Sequence, residues 1–104
     1  MISVIIPIYK VEEFIVRCVN SLMQQTMEEV EFIFVNDATP DDSMVLLQLA
    51  LNNFPERKAQ VHILNHEVNQ GLPAARNTGL RVATGEYIYH CDSDDYLEPD
   101  ALET

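Results

Sequence analysis

The chain has 104 residues, 47% of them apolar, with seventeen acidic side chains against six basic ones and a formal net charge of -11. That length fits one small domain with a modest core, and the apolar share excludes a disordered chain. The charge argues against nucleic acid and anionic lipid as direct partners, since both need a basic face, and no apolar stretch approaches the ~18 residues of a membrane span.

Residues 2–9 form a continuous run rich in Ile and Val, the pattern of a strand buried on both faces. No basic segment precedes it, so the N-terminus reads as a strand and not as a signal peptide. Between Val11 and Gln25 the set Val11, Phe14/Ile15, Cys18/Val19 and Leu22/Met23 recurs at helical spacing. Residues 30–36 are a second apolar strand. Thr39-Pro40-Asp41-Asp42 then supplies an N-cap, a proline at the first helical position and acids in the first turn. The helix that follows should turn Val45, Leu46, Leu49 and Ala50 inward and end near Phe54-Pro55. Residues 60–65 are a third, short strand. The loop Asn69-Gln70-Gly71-Leu72-Pro73 leads into a helix over residues 73–83, stopped by Gly85. Residues 87–91 form the fourth strand and deliver the tetrad Asp92-Ser93-Asp94-Asp95. Glu98-Pro99-Asp100-Ala101-Leu102 has the signature of a further helix start.

This β-α-β-α-β-α-β order predicts an α/β fold: a Rossmann-like parallel sheet with helices on both faces and right-handed crossovers. A parallel sheet puts all carboxyl ends on one edge, so Tyr9, Asp37 and Asp92–Asp95 should converge there, where open α/β sheets bind ligands. Alone, Asp37 could be a turn former and Tyr9 a strand-end aromatic; their convergence weighs towards a shared crevice. Three carboxylates within the tetrad repel one another and raise each other's pKa unless they are solvated or hold a cation. The cluster therefore suggests a divalent metal and a ligand brought by it. A phosphate would have to arrive with that metal, because no Lys or Arg follows Arg81 while seven acidic residues lie between Glu86 and Glu103.

Other chemistries lack their residues. There is no G-x-G-x-x-G after the first strand and no G-x-x-x-x-G-K-[ST], so neither a dinucleotide fold nor a P-loop is supported. A calcium loop starting at Asp92 fails because Leu97 stands where Gly is needed and Tyr96 at the fifth ligand position. His62 and His90 fall within strands and His66 in a loop, with no metal-ligand spacing. Cys18 and Cys91 read as two reduced core thiols. A phosphoryl-transfer domain would need acids after the first strand, where this chain has Tyr9-Lys10.

Four segments in order are similar to known proteins: Ser3-Val4-Ile5-Ile6-Pro7-Ile8-Tyr9, Phe34-Val35-Asn36-Asp37, Asn69 through Gly79, and Gly85-Glu86-Tyr87-Ile88 leading to the acidic tetrad. Over residues 2–100 the chain resembles the N-terminal, nucleotide-sugar-binding part of family-2 glycosyltransferases with the GT-A fold. The resemblance implies a nucleotide-sugar donor, usually a UDP-sugar, a saccharide or lipid-linked saccharide acceptor, inversion at the anomeric carbon, and a place in polysaccharide biosynthesis. It implies that Pro7 and Tyr9 flank the nucleobase, with Tyr9 stacking on it, and that Asp37 hydrogen-bonds the base. Asp92 would face the ribose or the metal's outer shell. Asp94 would bind Mn²⁺ or Mg²⁺, with Asp92 and Asp95 beside it. Asn69, Gly71, Arg76 and Asn77 would shape the donor loop, Arg76 and Asn77 equally well as structural caps. Lys10 stands where Asn is more usual.

In that family the catalytic base comes from a later segment, so it is expected beyond Thr104, and the chain is expected to be the front of a longer protein. It should bind nucleotide with metal without transferring sugar by itself. The alternative is a non-catalytic nucleotide- or metal-binding module of the same fold. The expected location is the cytoplasm, with membrane association of a longer protein and a homodimer both left open.

Overall fold

The computed structural model describes residues 1–94, 97–99 and 101–103. Strands β1 (Ile2–Ile8), β2 (Val30–Asn36), β3 (Val61–Asn65) and β4 (Tyr87–His90) alternate with helices α1 (Ile15–Met23), α2 (Ser43–Leu51) and α3 (Leu72–Val82). All strand pairs are parallel and the sheet order is β3-β2-β1-β4, with Ile5 opposite Ile33 on one side and His90 on the other. The chain steps from β1 outward to β3 and then returns to the far side of β1. The switch point therefore lies between β1 and β4, where a crevice opens at the carboxyl ends.

Alternation along the central strands serves two cores. Val4, Ile6 and Ile8 of β1 and Phe32 and Phe34 of β2 pack with Ile15, Cys18, Val19 and Leu22 of α1 and Leu47 of α2. Ile5, Ile33 and Val35 face the opposite side and meet Ala75 of α3. At about 1.5–3 kcal/mol for each large side chain buried, the first face carries most of the stability. On the second face α3 sits close: a Cβ on Gly79 would lie 2.6 Å from Ile5 Cγ2. Glycine there sets the height of α3 over β1, and with it the position of the loop before the helix. Cys18 and Cys91 are both buried. Among the described residues no helix is long and apolar enough to cross a membrane.

Several boundaries depart from the sequence reading. Helix α1 begins at Ile15 instead of Val11, because the chain leaves β1 through Lys10 at φ 53° and a turn in which the N–H groups of Phe14 and Ile15 share the Val11 carbonyl. Phe14, expected inside, is on the surface. Helix α2 begins at Ser43, so Thr39 is not its cap. Asp41 Oδ1 instead accepts from Thr39 Oγ1 at 2.7 Å, Ser43 Oγ at 2.6 Å and Ser43 N at 3.1 Å. The inner face of α2 is also corrected: Ser43, Leu47, Ala50 and Leu51 are buried, whereas Val45 and Leu49 are each 59% exposed. That helix is apolar almost all round, so periodicity cannot choose its face. The anchor does: Ser43 Oγ accepts the Val11 N–H at 3.0 Å and seats the first turn against the β1–α1 connection.

A 3₁₀ turn over Pro55–Gln60 was not expected. It inserts Arg57, which is buried, beneath the end of α1, where its guanidinium donates to the carbonyls of Met23, Gln25 and Met27 and lies over the Phe32 ring. Cation and unpaired carbonyls beyond a helix C-terminus satisfy each other. The helix start expected at residues 98–102 is a short 3₁₀ turn, Ala101–Glu103, with Leu102 buried; Asp100 lies outside the described residues.

Candidate functional site

A cavity of ≈ 540 Å³ opens at the carboxyl edge of the sheet. Its walls come from four places in the sequence: Pro7 and Ile8 at the end of β1 with Tyr9 and Val11 after it, Asp37 after β2, Asn69, Gly71, Leu72 and Ala75 before and within α3, and Asp92, Ser93 and Asp94 after β4. The expected convergence of Tyr9, Asp37 and the acidic segment is thus present among the described residues.

The β1 side is apolar and open. Pro7 is buried at the end of the strand, and its carbonyl accepts the Ser93 hydroxyl at 2.7 Å, which fastens the acidic segment to β1. Tyr9 is 40% exposed, and the Lys10 ammonium lies 5.4 Å from its ring centroid. Lys10 adopts a left-handed backbone that Asn tolerates better, held here because its N–H donates to Thr39 Oγ1 at 2.8 Å. A half-exposed aromatic ring at the rim is a platform for a planar ligand.

The β2 end is the most highly bonded part of the wall. Asp37 is 3% exposed. Its Oδ1 accepts from His66 Nδ1 and the Gln70 N–H, both at 2.8 Å, and its Oδ2 from the Gly71 N–H and Asn69 Nδ2, both at 2.9 Å. Burial raises the pKa of this carboxyl, but the bonds from His66, Gln70 and Gly71 and the charge of His66 outweigh it, and the pKa lies below the ordinary value. Gly71 sits at φ 94°, a left-handed conformation that favours glycine, and this turns its N–H towards Asp37 as α3 starts.

At the β4 end the side chains alternate. Ser93 points inward to Pro7, leaving Asp92 and Asp94 exposed at the cavity. Asp92 Oδ1 is 3.3 Å from Arg76 Nη2, with the two side chains 53% and 38% exposed, so solvent screens the pair and its worth is below about 1 kcal/mol. Arg17 Nη2 donates to the Asp94 carbonyl at 3.3 Å, and the Cys18 and Cys91 thiols both approach the Asp92 carbonyl. Asp95 lies outside the described residues, and among those described no group of three His, Cys, Asp or Glu side chains is arranged to hold a metal. Two exposed carboxylates with an all-oxygen character nevertheless fit a hard cation such as Mg²⁺ or Mn²⁺, which takes one or two protein carboxylates and fills its shell with water and phosphate oxygens.

Of the other residues expected at the donor loop, Asn69 and Gly71 line the cavity. Arg76 stands behind it and reaches the site through Asp92, and Asn77 is exposed on α3. His66 and Thr78 were missed. His66 Nε2 lies 2.7 Å from Thr78 Oγ1, so this ring joins Asp37 to α3. Its position directly after β3 was the available signal, since that strand end belongs to the same edge.

Relatives are found on both levels. The uncharacterized glycosyltransferase EpsJ of Bacillus subtilis (strain 168) is 42% identical over 97 residues, which cover 93% of this chain and 27% of EpsJ. The chondroitin synthase of Escherichia coli is 39% identical over 103 residues, 99% of this chain and 14% of that protein. Among solved structures, S. aureus TarS 1-349 in complex with UDP-GlcNAc superposes with a TM-score of 0.86 at 31% identity, covering 98% of this chain and 29% of that one. The mannosyltransferase PcManGT from Pyrobaculum calidifontis, in complex with GDP-Man and Mn²⁺, shares the GT-A fold at a TM-score of 0.83 and 24% identity, over 91% of this chain and 28% of its own. The chain spans less than a third of the length of each. The profile of glycosyl transferase family 2 matches residues 3–104, and the chain belongs to that family.

Proposed function

We propose that the chain forms the donor-binding part of an inverting glycosyltransferase that takes a nucleotide-sugar, a UDP-sugar above all, for transfer to an acceptor hydroxyl. The observation that carries this reading is the cavity at the switch point, which gathers an aromatic platform, a buried carboxylate and two exposed carboxylates from separate strand ends. The binding of UDP and UDP-GlcNAc by TarS, a structural neighbour at 31% identity, supports the uridine donor.

In this reading Tyr9 stacks on the nucleobase, a contact worth about 1–3 kcal/mol, with Pro7 forming the floor. Asp37 meets the base edge and holds the Asn69–Gly71 loop around it. Asp92 faces the ribose, and Asp94 is the principal ligand of Mn²⁺ or Mg²⁺, with Asp92 and Asp95 next to it. A bound cation would neutralise charge on the diphosphate as the nucleoside diphosphate leaves. The chain needs that help, because its own charge of -11 repels a free diphosphate. Arg76 keeps the Asp92 carboxylate turned towards the cavity. The reading covers the donor half of the reaction; no residue of this chain is assigned as the acceptor's base.

Calorimetric titration of the folded 104-residue chain with UDP, with and without Mn²⁺, tests the proposal. Binding that depends on Mn²⁺ and is weakened by Asp94→Ala is the expected result. A folded protein that takes up no UDP at millimolar concentration with Mn²⁺ would sink it.

A further inference from the structure

His66 has no place in the reading above, yet it is the buried link between the cavity wall and the helix behind it. Its main-chain N–H donates to the Asn36 carbonyl at 2.8 Å, one step past the end of the β2–β3 ladder. Its side chain is 7% exposed. The ring spans the space between Asp37 Oδ1, 2.8 Å from Nδ1, and Thr78 Oγ1 on α3, 2.7 Å from Nε2. An ionised carboxylate only accepts, so Nδ1 carries the proton in the Asp37 contact.

The four donors on Asp37 fill the roughly four lone-pair directions of a carboxylate. They are not equally fixed. Two are main-chain N–H groups, and the third is the buried His66 ring. The fourth is the side-chain amide of Asn69, an exposed residue whose nitrogen also donates to the Asp37 carbonyl at 3.2 Å, so it can leave Oδ2 and keep that bond. A nucleobase N–H entering the cavity would take the Asn69 place on Oδ2, provided that Oδ1 stays held at the back.

We infer that His66 is a positioning residue for nucleobase recognition: clamped between Asp37 and Thr78, it fixes the rotation of the Asp37 carboxylate so that Oδ2 meets the base. The base class this favours has a ring N–H donor at its pairing edge. Uracil has one at its ring imide, whereas cytosine presents a bare acceptor nitrogen there. The inference rests on the donor-site reading and goes beyond it in naming which side chain sets base preference.

Two substitutions separate the two contacts of the ring. His66→Asn puts an amide N–H where Nδ1 stands and keeps the bond to Asp37. His66→Gln puts its amide near the Nε2 position and keeps Thr78 while losing Asp37. In titrations of UDP and CDP with Mn²⁺ present, wild type should prefer UDP, and His66→Asn should keep that preference within about twofold. His66→Gln should lose about tenfold in UDP affinity and little in CDP affinity, the scale of one charge-assisted hydrogen bond. Thermal melts should show both variants destabilised to a similar extent.

A His66→Gln protein that keeps the wild-type UDP-to-CDP ratio overturns the inference, as does proportionate loss of both nucleotides in both variants. If His66→Gln does not fold, His66→Leu decides, since it fills the ring's space with apolar atoms and gives Asp37 no donor. Weakened UDP preference in that protein supports the clamp, and an unchanged one overturns it. Wild type that binds both nucleotides equally refutes the role of His66 alone, whereas wild type that binds neither refutes the donor-site reading itself.

Discussion

Strand β2 carries a buried carboxylate at each end, and the two are put to different uses. Glu31, near its start, is 7% exposed, and Asp37, just past its end, is 3% exposed. Each has a histidine from the β3 region beside it: His62 Nε2 is 3.4 Å from Glu31, and His66 Nδ1 is 2.8 Å from Asp37. In both, burial raises the pKa but hydrogen bonds bring it below the ordinary value. The difference lies in where the donors come from. Glu31 Oε2 accepts from Ser3 Oγ and from the Thr84 N–H and hydroxyl, while Ser3 Oγ in turn accepts the Gly85 N–H at 2.8 Å. These bonds close the α3–β4 connection onto the amino edge of the sheet. Apart from His66, the donors of Asp37 come from the 69–71 loop at the cavity wall. The same chemistry is a clasp at one edge and the frame of a site at the other, because in a parallel sheet only the carboxyl edge opens at the switch point.

The largest effect should come from breaking the carboxyl-edge frame. Asp37→Ala leaves the His66 ring and two main-chain N–H groups without their acceptor in a buried setting. It should destabilise the chain by about 3–5 kcal/mol in urea unfolding and abolish UDP binding in calorimetry. Glu31→Gln sharpens the contrast at the other edge. Replacing the charged acceptor of Ser3 and Thr84 by a neutral amide should cost about 1–3 kcal/mol, while UDP affinity of the folded protein stays unchanged. Loss of UDP affinity in this variant would show that the two edges are not separable.

Acid should reach both ends. Each carboxyl titrates lower in the folded chain than in the unfolded one, so the unfolded chain takes up protons first as pH falls. The stability they confer is complete above the ordinary values of 4.5 and 3.8 and is lost as pH drops through the lower folded values. Urea midpoints measured from pH 7 downward should fall across that acid window, with a shallower fall in Glu31→Gln. The smallest effect is expected from Thr84→Val, which removes one hydroxyl bond to Glu31 and should cost about 1 kcal/mol without altering nucleotide binding.

Much of the site was legible because it follows from topology. Once β1, β2 and β4 are recognised as parallel strands, the residues after them must share an edge, and Tyr9, Asp37, Asp92 and Asp94 line one cavity. The helix starts were less legible. Asp41 and Thr39 have the composition of a cap but build a loop before Ser43, and the uniformly apolar α2 carried no information about which side faces inward. His66 looked like an ordinary loop residue, since nothing within its own segment marks the partner it meets.

By itself the sequence determined the parallel α/β architecture, the order of its elements and the edge at which its acids gather. Those follow from local hydrophobic pattern and from the chirality of crossovers, which act along the chain. Only the tertiary structure decided that Asp37 is saturated by donors, that His66 clamps it to α3, and that Glu31 is its counterpart at the other end. Those bonds join residues 12 to 53 positions apart, and their geometry is set by how strands, loops and helices pack, which local sequence pattern does not contain.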